Sequence, residues 1–208
     1  MSFAQNETYF SQARVIAVLT PASVASGVAL SRVLFEAGLR MQEITLRTAS
    51  GLETIAALKH QIPELIVGAG SVLTLEFGEA AIQAGARFLV SPGTTEALLQ
   101  FAANCGVPFL PGVATVSEMM RVQALGCTAA KLFPVETLGG MAFVRAAAGP
   151  LPSMKFCPTG GIDAQLAPGY LQLANVLAVG GSWMVPNDLV TENRFEDIRR
   201  LAEQAAAL

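Results

Sequence analysis

Two hydrophobic rhythms alternate along the chain. Short β-branched or wholly apolar runs stand at Val15 to Leu19, Met41 to Leu46, Leu65 to Gly70, Arg87 to Ser91, Val107 to Pro111, Ala129 to Phe133, Met154 to Pro158 and Val176 to Gly180. Between and after them come longer stretches of helical pattern: Ser23 to Ala37, Leu52 to Gln61, Phe77 to Ala84, Glu96 to Asn104, Ser117 to Leu125, Met141 to Ala148, Gln165 to Ala174 and Phe195 to Leu208. The first set predicts strands, the second helices packed against them. At Glu36-Ala-Gly-Leu-Arg40, Gln83-Ala-Gly-Ala-Arg87 and Ala124-Leu-Gly-Cys127, glycine falls where a helix needs a left-handed residue before turning into the next strand. Strand–helix units of about 25 residues repeated in this way predict a (β/α)8 TIM barrel rather than a doubly wound sheet. A short N-terminal helix is expected ahead of the first strand. No linker or charge block divides residues 1–208, which predicts a single domain.

Composition sharpens this picture. Hydrophobic residues make up 52% and charged residues 14% of the chain, so either the core is large or a further subunit covers part of the surface. A net charge of -3 leaves no basic stripe to displace counterions, and no nucleic-acid partner is expected. Apolar runs are interrupted well short of the ~18 residues a membrane span needs, and MSFAQNETYF has no leader pattern, so no membrane partner and a cytoplasmic location are expected. The three cysteines, Cys105, Cys127 and Cys157, lack C-x-x-C spacing and read as core thiols. His60 is the only histidine, in a polar helical stretch. Neither a multi-histidine metal site nor a cofactor is expected.

In a barrel of this kind the chemistry sits at the C-terminal ends of the strands. The two-residue period of MQEITLR puts Glu43, Thr45 and Arg47 on one face, and the same rule puts Lys131 with Phe133. Lysine is scarce, three against ten arginines, yet one stands inside the apolar run CTAAKLFPV. Burial disfavours the ammonium, and a free amine there can attack a carbonyl to form an imine. A buried ion pair with Glu43 is the competing reading. Glu43 is the one acid that this strand pattern places in the mouth, as proton shuttle or as charge partner. The loops after the seventh and eighth strands carry Thr159-Gly160-Gly161 and Gly180-Gly181-Ser182, whose exposed backbone N–H groups suit a phosphate or carboxylate.

EITLRT (Glu43 to Thr48), GAGSV (Gly68 to Val72), SPG (Ser91 to Gly93), PGV-x-T (Pro111 to Thr115), KLFP (Lys131 to Pro134), FCPTGGI (Phe156 to Ile162) and GGSW (Gly180 to Trp183) occur in one order over most of the chain. Together they resemble the 2-keto-3-deoxy-6-phosphogluconate aldolase family, the KDPG/KHG aldolases. The resemblance implies a metal-independent class I aldolase that cleaves this phosphorylated keto acid into pyruvate and glyceraldehyde 3-phosphate, usually as a homotrimer. It implies Lys131 as the imine-forming nucleophile and Glu43 as general acid/base. By the same resemblance Arg47, Ser71 and Thr159 contact the pyruvate carboxylate and keto acid, Pro92 and Phe133 line the pocket, and Gly160, Gly161 and Ser182 form the phosphate loop. Arg47 leans toward the gluconate branch, since relatives acting on the galactonate epimer carry a shorter polar residue there. Ser71 stands where threonine is common, and Thr20 where several members have an arginine aimed at the far end of the substrate. A 4-hydroxy-2-oxoglutarate aldolase giving pyruvate and glyoxylate, a phosphosugar isomerase or epimerase, and a non-catalytic barrel binding phospho-acids are the alternatives.

Overall fold

A computed structural model describes residues 3–208. A 3-10 turn (Phe3–Gln5) leads into α1 (Asn6–Phe10), β1 (Val15–Leu19), α2 (Val24–Glu36), β2 (Met41–Thr45), α3 (Ser50–Gln61), β3 (Ile66–Gly70), α4 (Leu75–Ala84), β4 (Leu89–Val90) and α5 (Glu96–Asn104). There follow β5 (Phe109–Leu110), β6 (Gly112–Val113), α6 (Val116–Ala124), β7 (Ala129–Leu132), α7 (Gly140–Ala148), β8 (Lys155–Pro158), α8 (Ala167–Leu171), β9 (Val179–Gly181), α9 (Asn187–Thr191) and α10 (Phe195–Ala206). The expected short N-terminal helix is α1. Hydroxyl caps set several helix starts: Thr74, Thr95 and Thr115 each accept from the N–H three residues on, and Glu118 reaches back to the Thr115 N–H at 2.9 Å. The junction glycines Gly38, Gly85 and Gly126 all have φ between 82 and 107°, as the sequence pattern predicts.

Every strand pairing is parallel. A curled six-stranded sheet runs β5-β4-β3-β2-β1-β9, and a three-stranded sheet runs β6-β7-β8. The fifth predicted strand, Val107 to Pro111, is observed as Phe109–Leu110, and a second piece, Gly112–Val113, lies beyond the predicted end; what separates them is Pro111, which has no N–H for the ladder. Phe109 and Leu110 pair with β4, whereas Gly112 and Val113 pair with β7, and the Pro111 carbonyl still accepts the Lys131 N–H at 2.9 Å. On the other side, bridges Phe156 to Val176 and Thr159 to Gly180 link the β8 region to the segment leading into β9 and to β9 itself. The last strand begins at Val179 rather than Val176, and α8 ends at Leu171 rather than Ala174. Leaving the helix early lets the Asn175 carbonyl accept the Phe156 N–H at 2.8 Å.

Side-chain parity divides the core in two. Val15, Ala17, Leu19, Ile44, Val67 and Leu132 join the larger cluster between strands and helices. Ile16, Met41, Phe88, Val90, Leu110 and Ala129 form a second cluster, together with Phe10 from α1. Neighbours of opposite parity on one strand therefore bury opposite faces, which is why β1, β2 and β7 are buried at every position. Phe10 meets Phe88 edge-on, with ring centroids 5.5 Å apart, and the Asn6 amide donates to the Phe109 carbonyl. So α1 covers the end of this inner cluster opposite the strand C-termini. No helix of the described residues is long and apolar enough to cross a membrane.

Gly68 lies where a Cβ would overlap the fully buried Phe88 ring. That ring is held by its aromatic neighbours, so Gly68→Ala should cost about 1–3 kcal/mol. Urea denaturation should register this as a lower midpoint at unchanged slope; an unshifted midpoint would mean that the ring can move.

Candidate active site

Glu43 lies in the middle of β2 and Lys131 in the middle of β7, on strands of different sheets. Both point to the inner side, and Lys131 Nζ donates to Glu43 Oε1 at 3.1 Å and Oε2 at 3.4 Å. The lysine is 5% exposed and the glutamate 3%, so this contact is a buried ion pair rather than a solvated one. The fold thus brings the lysine of the apolar run against the one acid that the strand pattern places in the mouth. Lys131 Nζ also sits 5.5 Å from the centre of the Phe133 ring. The register neighbour of Lys131 on β8 is Cys157, whose thiol burial pushes up to about 12. At neutral pH that sulfur stays protonated and does not compete as a nucleophile.

Glycines make room for these groups. A Cβ on Gly70 would stand 2.6 Å from Glu43 Cδ and closer still to its carboxylate oxygen, so the carboxyl occupies space that only glycine leaves open. Gly180 does the same for the hydroxyl of Thr159, which is 7% exposed and donates to the Cys157 carbonyl at 3.3 Å. Gly181 lies under the Trp183 ring.

The other residues singled out from sequence fall in three groups. Arg47, exposed after β2, donates from Nε to Ser71 Oγ at 3.1 Å. Ser71 holds this position with φ 58°, a left-handed conformation uncommon outside glycine. Gly160 and Gly161, with φ 99 and 84°, follow β8 and pack against Phe133, Pro134 and Glu136. Among the described residues no acceptor takes the N–H of Gly160, Gly161 or Ser182. Gly180 and Gly181 differ: they lie within β9, in register with Ile16 and Ala17, so their backbone serves the sheet. Pro92 is half-buried after β4, its backbone against Gly112.

A cleft of about 420 Å³ opens beside this group, lined in part by Thr20, Arg47, Ser182 and Asn187. The Thr45 hydroxyl donates to Thr20 Oγ1 at 2.9 Å. Asn187 escaped the sequence reading, which took Cys157 only as a core thiol and Gly70 only as part of a strand and motif. The inward parity shared by Lys131 and its β8 neighbour could have flagged Cys157, and the glycines of GAGS could have been read as a demand for space. Nothing in the pattern announced α9.

The family model described as KDPG and KHG aldolase matches residues 7–201. The 2-dehydro-3-deoxy-phosphogluconate aldolase of Pseudomonas aeruginosa is 42% identical over 202 residues, spanning 97% of this chain and 92% of that protein. A crystal structure of the KDPG aldolase from Legionella pneumophila, with pyruvate captured at low pH as a covalent carbinolamine intermediate, superposes with a TM-score of 0.93 at 36% identity, covering 97% of this chain and 98% of the other. The 2-keto-3-deoxy-6-phosphogluconate aldolase of Zymomonas mobilis with 3-phosphoglycerate superposes with a TM-score of 0.92 at 36% identity, covering 99% and 97%.

Gly70→Ala tests the seating of Glu43. The atoms in its way belong to Glu43 in its buried ion pair, so the variant should lose about 1–3 kcal/mol of stability while remaining folded. Displacing the carboxyl by about 1 Å should still slow turnover by roughly 100-fold. Parent turnover in this variant would remove the steric argument.

Proposed function

This chain belongs to the KDPG and KHG aldolase family, and we propose that it is a class I aldolase cleaving 2-keto-3-deoxy-6-phosphogluconate through an imine on Lys131. The observation that carries the reading is the buried Lys131–Glu43 pair at 3.1 Å. An amine can attack a ketone only after losing its ammonium proton, and Glu43 is within reach to take it. The nitrogen then bonds to the keto carbon, giving a carbinolamine. Glu43 returns the proton to the departing hydroxyl, water leaves, and a protonated imine remains. When a base removes the proton of the C4 hydroxyl, the C3–C4 bond breaks and its electron pair enters the iminium. Glyceraldehyde 3-phosphate departs, and the enamine left behind is protonated at carbon and hydrolysed to pyruvate. Each step uses one proton-carrying carboxyl beside one nitrogen.

The remaining groups sort by charge. Arg47 and Ser71, already hydrogen-bonded, hold the keto-acid carboxylate with Thr159 nearby. Phe133 and Pro92 wall the pocket. Gly160, Gly161 and Ser182 offer free N–H donors to the phosphate, while Gly180 and Gly181 make room for the Thr159 hydroxyl and the Trp183 ring. The two sheets read as one (β/α)8 barrel in a single domain over residues 1–208, supported by β5 and β6 being one strand bent at Pro111 and by the bridges between Phe156 and Val176 and between Thr159 and Gly180. A cytoplasmic homotrimer suits the exposed apolar side chains of Leu73, Phe77 and Met120, which a neighbouring copy would cover. 4-Hydroxy-2-oxoglutarate is the second reading, because Thr20, with its hydroxyl tied to Thr45, brings no cation with which to select a phosphate over a carboxylate.

Borohydride reduction in the presence of pyruvate should leave a single adduct mapping to Lys131, and Lys131→Arg should be inactive because guanidinium stays protonated. An adduct on Lys59 or Lys155 would overturn the mechanism. Glu43→Gln should slow turnover by roughly 10²- to 10⁴-fold.

The phosphorylated substrate should be preferred over its unphosphorylated form. Thr20→Arg should lower its KM about tenfold, the effect of one charged hydrogen bond, without changing KM for the unphosphorylated form. Equal kcat/KM for the two substrates in the parent enzyme would instead assign the glycine loops to turns alone.

A further inference from the structure

Glu136 and Tyr170 take no part in the steps above, yet they meet beside the loop assigned to the phosphate. Glu136 is exposed on the segment following β7. Its N–H donates to the Gly160 carbonyl at 3.2 Å, and the Val135 N–H donates to the Thr159 carbonyl at 2.9 Å. Its Cβ and Cγ lie so close to Gly161 that a methyl there would stand 2.8 Å from each. Tyr170 on α8 is wholly buried, and its hydroxyl donates to Glu136 Oε1. Around this bond the packing leaves little space: a Cβ on Gly140 would be 3.3 Å from the tyrosine oxygen and from both carboxylate oxygens. Burial, and then the neighbouring carboxylate, push the phenol well above its ordinary range, so it remains a donor at any physiological pH.

A carboxylate in this place is a hazard to anion binding. Swung toward Gly160 and Gly161, it would occupy their free N–H groups or repel a phosphate placed there. A strong hydrogen bond from a rigid, buried donor fixes it in one direction. We propose that Tyr170 is a positioning residue for the anion site: it holds the Glu136 carboxylate off the Gly160–Gly161 donors and so sets the affinity for the phosphoryl end of the substrate. This deepens the reading of that loop as the phosphate site and rests on it.

The test compares kcat/KM for the phosphorylated keto acid with that for its unphosphorylated form, alongside competitive inhibition by inorganic phosphate. Tyr170→Phe keeps the ring in the core and removes the donor. It should lower the ratio roughly 10- to 100-fold and weaken phosphate inhibition equally, the size of one hydrogen bond to a charged group. The change should fall on KM for the phosphorylated substrate alone. Adding Glu136→Gln, which removes the charge, should restore the parent ratio, a rescue that a merely structural role of the phenol would not give. Glu136→Asp provides an independent arm at an exposed position: it keeps the charge, draws the carboxylate off the phenol and should act like Tyr170→Phe. An unchanged ratio in Glu136→Asp, a loss in Tyr170→Phe that Glu136→Gln fails to rescue, or a loss carried by kcat on both substrates would overturn the proposal. A parent enzyme with no preference for the phosphorylated substrate and no inhibition by phosphate would overturn the loop reading itself.

Discussion

Two opposite charges held 3.1 Å apart with almost no solvent around them are the constraint on which the rest of the structure turns. Taking either ion out of water alone costs several kcal/mol, roughly 3–5 when one partner of a buried pair is lost. Glu43 and Lys131 must therefore arrive together, from β2 in one sheet and β7 in the other. Each strand presents its charged residue at a position where the parity of its neighbours is apolar, Met41 below Glu43 and Ala129 below Lys131. The backbone must be set before the charges can meet, and the curled parallel sheets set it.

What surrounds the pair follows from the space that it needs. On β3, Gly70 leaves a gap for the Glu43 carboxyl, whereas Gly68 leaves one for the Phe88 ring. These two glycines lie two residues apart on one strand, so they look alike in a sequence and do different work. Gly68 serves packing, because what fills its gap is a buried ring with nowhere to go. Gly70 serves the ion pair, because what fills its gap is the carboxyl that meets Lys131. A similar division separates Gly160 and Gly161, with free N–H groups and positive φ, from Gly180 and Gly181, whose backbone belongs to β9.

Charge is also arranged at a distance from the lysine. Arg47 is exposed but steered by Ser71, a residue that accepts a left-handed backbone to face it. The short side chain of serine suits that conformation better than a β-branched one would. Cys157, next to Lys131 in register, is kept neutral by burial, which leaves one nucleophile in that layer. On the function proposed above, the site combines a single reactive nitrogen, one carboxyl to move its protons, and separate groups for the substrate's anionic ends.

Much of this was legible in the order of residues. Apolar runs and helical spacing determined the strand and helix sequence, because periodicity is a local property of the chain, and a lysine inside a strand of apolar residues stood out for the same reason. Motifs from Glu43 to Trp183 carried the family resemblance. Only the tertiary structure decided the rest. Strand five divides at Pro111 because a missing N–H matters only when a neighbouring strand asks for it. Lys131 meets Glu43 across 88 residues of chain, and Tyr170 meets Glu136 across 34, distances at which no local pattern reports a contact. Whether a glycine offers its N–H, its φ or merely its lack of a side chain depends on what stands opposite it, and that is determined by packing.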